Sequence, residues 1–335
     1  MAGKKAVGKG FVLARLACNQ NPFSYGSDNL TSSRNSQKAV PVSGISFALL
    51  AFMGFPISDA IMKSMAGDWP ASALVALRFT IGAIGLAVLL WKLEGIEGFR
   101  VKRPLLHAAR GLMMALAAVC FISAIFVMPL ADAVAISFMA PIITALLSSI
   151  FLKEKMRPIT WIVTFVAFAG VLIMLRPNVA EFGWAAVLPL VTATCMSILM
   201  IFNRMVSNQR SVTAAQFYGA FWTSIFLFII AVTGHNLFPP MVIEGALSMR
   251  MLLSCVIVAI LNTGCHFLLY VATMRSTAAA VAPIMYVQLI ISSLISIYIF
   301  GDPLEPLAVL GGALIVLSGM VLWSSERKMA PSVRA

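Results

Sequence analysis

Long, uninterrupted apolar runs separated by short polar links make up most of this chain. Ten runs can be counted, at about 44–65, 71–91, 105–127, 130–152, 158–175, 183–205, 213–234, 250–274, 277–300 and 304–324. A helix that crosses a bilayer needs roughly 20 apolar residues, and each run is close to that. The runs are continuous rather than alternating, and are about twice the length of a barrel strand, which argues against β-structure. The pattern predicts an all-α integral membrane protein with ten transmembrane helices.

Composition supports this reading. Hydrophobic residues are 61% of the chain and charged ones 11%, against about 25% charged in soluble domains. With a mean hydropathy of +0.97, no soluble globule hides so much apolar surface. Residues 1–40 differ: they are polar and carry six Lys or Arg. Phe11 to Ala17 is too short for a secretory apolar core and is broken by Arg15. The segment reads as a disordered basic cytoplasmic tail; the alternative is a start codon placed too far upstream. Residues 326–335 read as a second cytoplasmic tail. The five Cys have no metal-binding spacing and four lie in apolar runs, so they read as small buried hydrophobes.

Basic residues orient the spans, because cytoplasmic loops collect Lys and Arg. With both termini inside, 20 of the 24 Lys and Arg fall in the tails and cytoplasmic loops, leaving Lys63, Arg78, Arg176 and Arg250. The formal charge of +12 then faces anionic lipid headgroups, and no nucleic-acid partner is needed to explain it.

The second half echoes the first. Ala131 to Pro158 and Ala278 to Pro306 each begin Ala-rich, pass through a Pro-containing helix and end in an acidic residue and a Pro. At an offset of 148, Ser148 falls on Ser296, Glu154 on Asp302 and Pro158 on Pro306. Ten spans then divide into 41–176 and 177–325, five each. A repeat with an odd number of spans inserts upside down, giving two inverted five-helix repeats with a site expected between them near the midplane.

These two helix-plus-acidic-loop units, together with Leu77-Arg78-Phe79 in the second span, resemble the drug/metabolite transporter superfamily, EamA branch. The resemblance covers about residues 44–324. It implies a carrier for amino acids, nucleotide-like metabolites, vitamins or drugs. Two departures stand out: Gly301-Asp302-Pro303 takes the place of Gly-Glu, and no Pro in the second half matches Pro141.

Charges inside apolar spans are costly and point to function. Asp59 and Arg78 fall at similar depth on consecutive spans, Asp132 opens the fourth span on the same side, and Lys63 lies one turn beyond Asp59. These residues suggest an outward-facing vestibule of Asp59, Arg78 and Asp132 with Lys63 at its rim. Arg78 would hold a substrate carboxylate or phosphate; the alternative is a structural Asp59–Arg78 pair with Lys63 snorkelling. Asn262 and His266 share a face of the eighth span and Gln288 lies near the middle of the ninth. They either line the cavity or hydrogen-bond between helices. Phe138, Phe217, Tyr218, Trp222 and Tyr286 either line a pocket for a planar ligand or pack. Pro56, Pro141, Pro189 and Pro283 fall within spans and are candidate kinks, with Pro141 and Pro283 in paired helices. Trp69, Trp91, Trp161, Trp184 and Trp323 lie near span ends, as in an aromatic belt.

The sequence contains no Walker A loop, and no cofactor is expected. The function expected is secondary-active transport of a small metabolite across an inner membrane, with alternating access between the repeats. The candidates are an amino acid, an adenosyl amino acid such as S-adenosylmethionine, a vitamin or a drug-like compound. The expected partners are that small molecule and the lipid bilayer, and a homodimer is left open. A lipid-carrier flippase is the alternative. A membrane-embedded transferase is disfavoured, since none of the three His has a metal-ligand neighbour in its own helix.

Overall fold

The computed structural model describes residues 42–100, 103–151, 158–206, 212–237, 247–275, 282–302 and 305–327. The N-terminal tail, the loop carrying Glu154, and residues 328–335 lie outside the described residues. Within them the chain is helical throughout and forms no strand. The helices are α1 (Val42–Lys63), α2 (Ala71–Glu94), α3 (Pro104–Val127), α4 (Leu130–Ser137), α5 (Ala140–Phe151), α6 (Pro158–Phe182), α7 (Leu188–Val206), α8 (Val212–Leu237), α9 (Met249–Arg275), α10 (Tyr286–Ile295) and α11 (Pro306–Arg327). Each falls on one of the ten apolar runs, the fourth run supplying both α4 and α5.

Six of these regions are long and apolar enough to cross a membrane: Gly44–Lys63, Ala71–Phe99, Pro104–Val127, Gly183–Asn203, Thr213–Asn236 and Met249–Leu269. The shorter apolar helices, Leu130–Thr144, Trp161–Ile173, Tyr286–Phe300 and Pro306–Val321, belong to the fourth, fifth, ninth and tenth runs. Side chains such as Leu50, Ile84, Phe165, Phe228 and Ile260 are exposed on the helix bundle. An apolar surface of this kind suits lipid rather than water.

The prolines behave in different ways. Pro56 sits inside an unbroken α1. At Pro141 the fourth span is interrupted: α4 ends at Ser137, Phe138 and Met139 form a turn, and α5 restarts at Ala140. Pro141 lacks an N–H and so has nothing to lose in the first turn of the new helix. Pro189 does not kink a span. A 3₁₀ turn over Gly183–Val187 precedes α7, and Pro189 is the second residue of that helix. Pro283 lies in the 3₁₀ turn Ala282–Met285 that opens the ninth run.

The extensive helix contacts join the first five runs to the last five. They are α1 with α9 and α10, α2 with α8 and α9, α3 with α7 and α8, α4 with α10, α5 with α7, and α6 with α11. Small residues allow close approach. The position a Cβ of Gly54 would take on α1 is filled by the Cys265 sulfur on α9. On α6, a Cβ at Gly170 would lie 2.8 Å from the Gly311 carbonyl oxygen of α11. Without a hydrophobic force between helices in lipid, such backbone proximity and van der Waals contact hold a bundle together.

A group of buried apolar side chains lies where α1 ends and α2 and α4 begin. Met62, Met65, Leu74, Ile122, Ile125, Met128 and Leu130 are all fully buried there.

Candidate functional site

One polar cluster forms where α1, α2 and α9 meet. α1 contributes Ser58 and Asp59, and α2 contributes Arg78, all buried. On α9, Asn262 and His266 are four residues apart and both turn toward α1. Asn262 Nδ2 donates to Ser58 Oγ at 3.2 Å, and the His266 ring stands edge-on to Phe55 with centroids 5.0 Å apart. Arg78 acts electrostatically on Asp59, Cys255 and His266. Asp59 and Arg78 are nevertheless no contact pair. Among the described residues the ion pairs within 4.0 Å are Lys63–Asp302 and Arg100–Glu97.

Arg78 Nη1 is buried and has no hydrogen-bond partner among the described residues. Leaving a buried donor unmade costs about 1–3 kcal/mol, and more for a charged group. A guanidinium fork with an open position beside a buried carboxylate suits a zwitterion: Arg78 can receive a carboxylate and Asp59 can face the ammonium group.

Asp132 belongs to a different place. With Lys63, Phe126, Met128, Glu181, Asp302 and Glu305 it lines a cavity of about 380 Å³ at the Lys63 end. Asp59 and Arg78 do not line this cavity. The expected single vestibule is thus two sites, a buried cluster and an acidic cavity, because α1 turns Asp59 toward α9 and carries Lys63 a full turn further. Nor is Lys63 a free rim residue, since it is bonded to Asp302. Glu181, Asp302 and Glu305 were missed as site residues. The acidic Asp302–Glu305 loop was the signal, but nothing in the sequence links it to Lys63.

The remaining candidates have other neighbours. Tyr286 meets Phe138 edge-on, centroids 5.7 Å apart, at the α4/α5 break, and its hydroxyl fills the space beside Gly319 on α11. Gln288 is half-buried on α10, which packs on α1 and α4. Trp222 packs on Gly111 of α3 and stacks on Phe226. Phe217 and Tyr218 join a second polar cluster, at the opposite end of α3. There Arg110 Nε donates to Asn203 Oδ1 at 2.7 Å, Arg110 Nη1 meets His107 Nδ1 at 3.1 Å, and the Tyr218 hydroxyl donates to the Phe99 carbonyl.

The protein has recognisable relatives. An S-adenosylmethionine uptake transporter of Rickettsia bellii is 26% identical over 285 residues, covering 85% of this chain and 94% of that one. A pseudopaline exporter of Pseudomonas aeruginosa is 27% identical over 286 residues, covering 85% and 97%. One solved crystal structure superposes with a TM-score of 0.55 at 20% identity, covering 88% of this chain and 99% of the other, which shows a shared fold. The EamA-like transporter family matches twice, over residues 42–176 and 183–324. With nearly all of its helical region matched, the chain belongs to the EamA-like transporter family, as a multi-pass membrane transporter and not an enzyme.

Proposed function

We propose that the protein is a secondary-active inner-membrane carrier for an amino-acid-like metabolite, an adenosyl amino acid such as S-adenosylmethionine being the leading candidate. The carrying observation is Arg78: a buried guanidinium whose Nη1 has no partner, with the Asp59 carboxylate acting on it but not in contact. That arrangement is unfavourable for an empty fold and favourable once a carboxylate arrives. One of the relatives described above is named for uptake of S-adenosylmethionine, a compound bearing an α-amino acid group.

Alternating access between two inverted repeats is the mechanism proposed. Two observations support it. The family matches the two halves separately. Exchanging each helix for its counterpart five runs on also turns the main set of packings into itself: α1 on α9 becomes α7 on α3, α2 on α9 becomes α8 on α3, and α1 on α10 becomes α7 on α5. Such exchange lets one chain adopt two related conformations. The charge bias of the loops supports cytoplasmic termini, with the Lys63 end facing outward.

Purified protein reconstituted in vesicles tests this reading. Labelled S-adenosylmethionine should exchange saturably against unlabelled compound and be competed by molecules with a free α-amino acid group. The absence of saturable movement of any α-amino-acid-bearing compound would remove the reading, and competition by lipid-linked sugars would replace it with flippase activity.

A further inference from the structure

Lys63 fills a cage suited to a cation. Its Nζ donates to Asp302 Oδ2 at 2.8 Å and to the Met128 carbonyl at 3.1 Å, and stands 4.7 Å from the centre of the Phe300 ring. A carboxylate, a carbonyl and an aromatic face together recognise an alkylammonium group. The Asp302 side of the cage is held by its own turn. The chain widens into a π turn over Ser296–Phe300, Gly301 takes the left-handed φ of 70°, and the Asp302 N–H returns to the Ser296 carbonyl at 2.9 Å. Ser296 Oγ also donates to Asp302 Oδ2 at 3.0 Å, so the carboxylate is held from its own side.

The cage opens beside the 380 Å³ cavity, whose other charged lining residues are Asp132, Glu181 and Glu305. Among the described residues Lys63 is the one basic residue of the lining. Acidic walls concentrate cations, and Lys63 reaches the cage on a flexible four-carbon stem. A second ammonium group can replace it charge for charge, so Asp302 is never left unpaired. A neutral or anionic molecule cannot make that exchange.

We propose that the Asp302–Met128–Phe300 cage is a binding station for a primary ammonium group of the transported metabolite, with Lys63 as its built-in competitor. Entry of the amine displaces Lys63 and so unties α1 from the segment joining α10 to α11. The proposal rests on the carrier reading above and adds the chemical group that is recognised at this end of the bundle.

The test uses the full chain in detergent, with methylammonium chloride as probe and sodium chloride at equal ionic strength as control. Thermal unfolding is followed for wild type, Lys63→Met, Lys63→Gln, Asp302→Asn and Lys63→Met/Asp302→Asn. A ligand that binds only the folded state raises the unfolding temperature by mass action. Lys63→Met and Lys63→Gln should respond to methylammonium at concentrations about tenfold lower than wild type, and the double variant should lose that gain. Equal responses of wild type and both Lys63 variants, or a gain that survives Asp302→Asn, overturn the proposal. The probe is independent of the substrate. A gain without transport of S-adenosylmethionine upholds the cage and removes that substrate, whereas transport without a gain removes the cage alone.

Discussion

Removing Asp59 and Arg78 together separates a binding site from a structural tie. Both are buried, at 8% and 7% exposure, and no N···O ion pair within 4.0 Å joins them. Beyond 4 Å, two unit charges at an effective dielectric constant of about 20 attract by less than about 4 kcal/mol. Desolvation of the two ions offsets much of that. Taking away one partner strands the other charge and should cost about 3–5 kcal/mol, so either single variant is a poor test. Asp59→Asn/Arg78→Gln removes both ions and also the unpartnered Nη1. Its stability is expected within about 1 kcal/mol of wild type, with strong positive coupling in the double-mutant cycle. Binding should behave differently. Loss of a charge-assisted contact in a buried site costs about 2–5 kcal/mol, so labelled S-adenosylmethionine should bind at least about 30-fold more weakly. Thermal unfolding and equilibrium binding in the same detergent measure both quantities. A double variant that binds like wild type but unfolds several kcal/mol more easily would refute the substrate role and leave Asp59 and Arg78 as a tie between helices.

Other expectations concern packing and the second polar cluster. Gly170→Ala places a Cβ 2.8 Å from the Gly311 carbonyl oxygen and 3.0 Å from Leu314 Cβ; it should cost about 1–3 kcal/mol by overpacking α6 on α11, seen as a lower unfolding temperature. Ser197→Ala removes a buried hydroxyl on α7 that lies 2.8 Å from the Ala140 carbonyl at the helix break; a loss of about 0.5–1.5 kcal/mol is expected, while Ser224→Ala, on an exposed face, should be near neutral. Arg110→Gln breaks the contact to Asn203 on α7 and should destabilise by about 1.5–3 kcal/mol, whereas Asn203→Asp should retain the contact and unfold near the wild-type temperature.

How far the sequence could be read depended on the range of the interaction involved. Pro141 and Pro56 carried the same local kink signal, yet Pro141 falls at a helix break and Pro56 inside an unbroken helix. Pro189 was not placed correctly, because the 3₁₀ turn before it moved the helix start to its door. The spacing of Asn262 and His266 showed that they share a face, yet their partners Ser58 and Phe55 lie on a helix some 200 residues earlier. Trp222 and Tyr286 looked alike as candidate pocket aromatics, and the fold set one against Gly111 and the other against Phe138 and Gly319.

By itself the sequence determined that the chain is helical and roughly where each described helix lies. In a bilayer every backbone polar group must be satisfied within its segment, so a run of about 20 apolar residues has few alternatives to a helix. Only the tertiary structure decided which polar residues meet. Lys63 and Asp302 are 239 residues apart and form a contact pair, while Asp59 and Arg78, 19 residues apart in the sequence, do not. Charge and depth are properties of one helix and can be read along the chain. Partnership is a property of two, and depends on which helices pack and how each is turned about its axis.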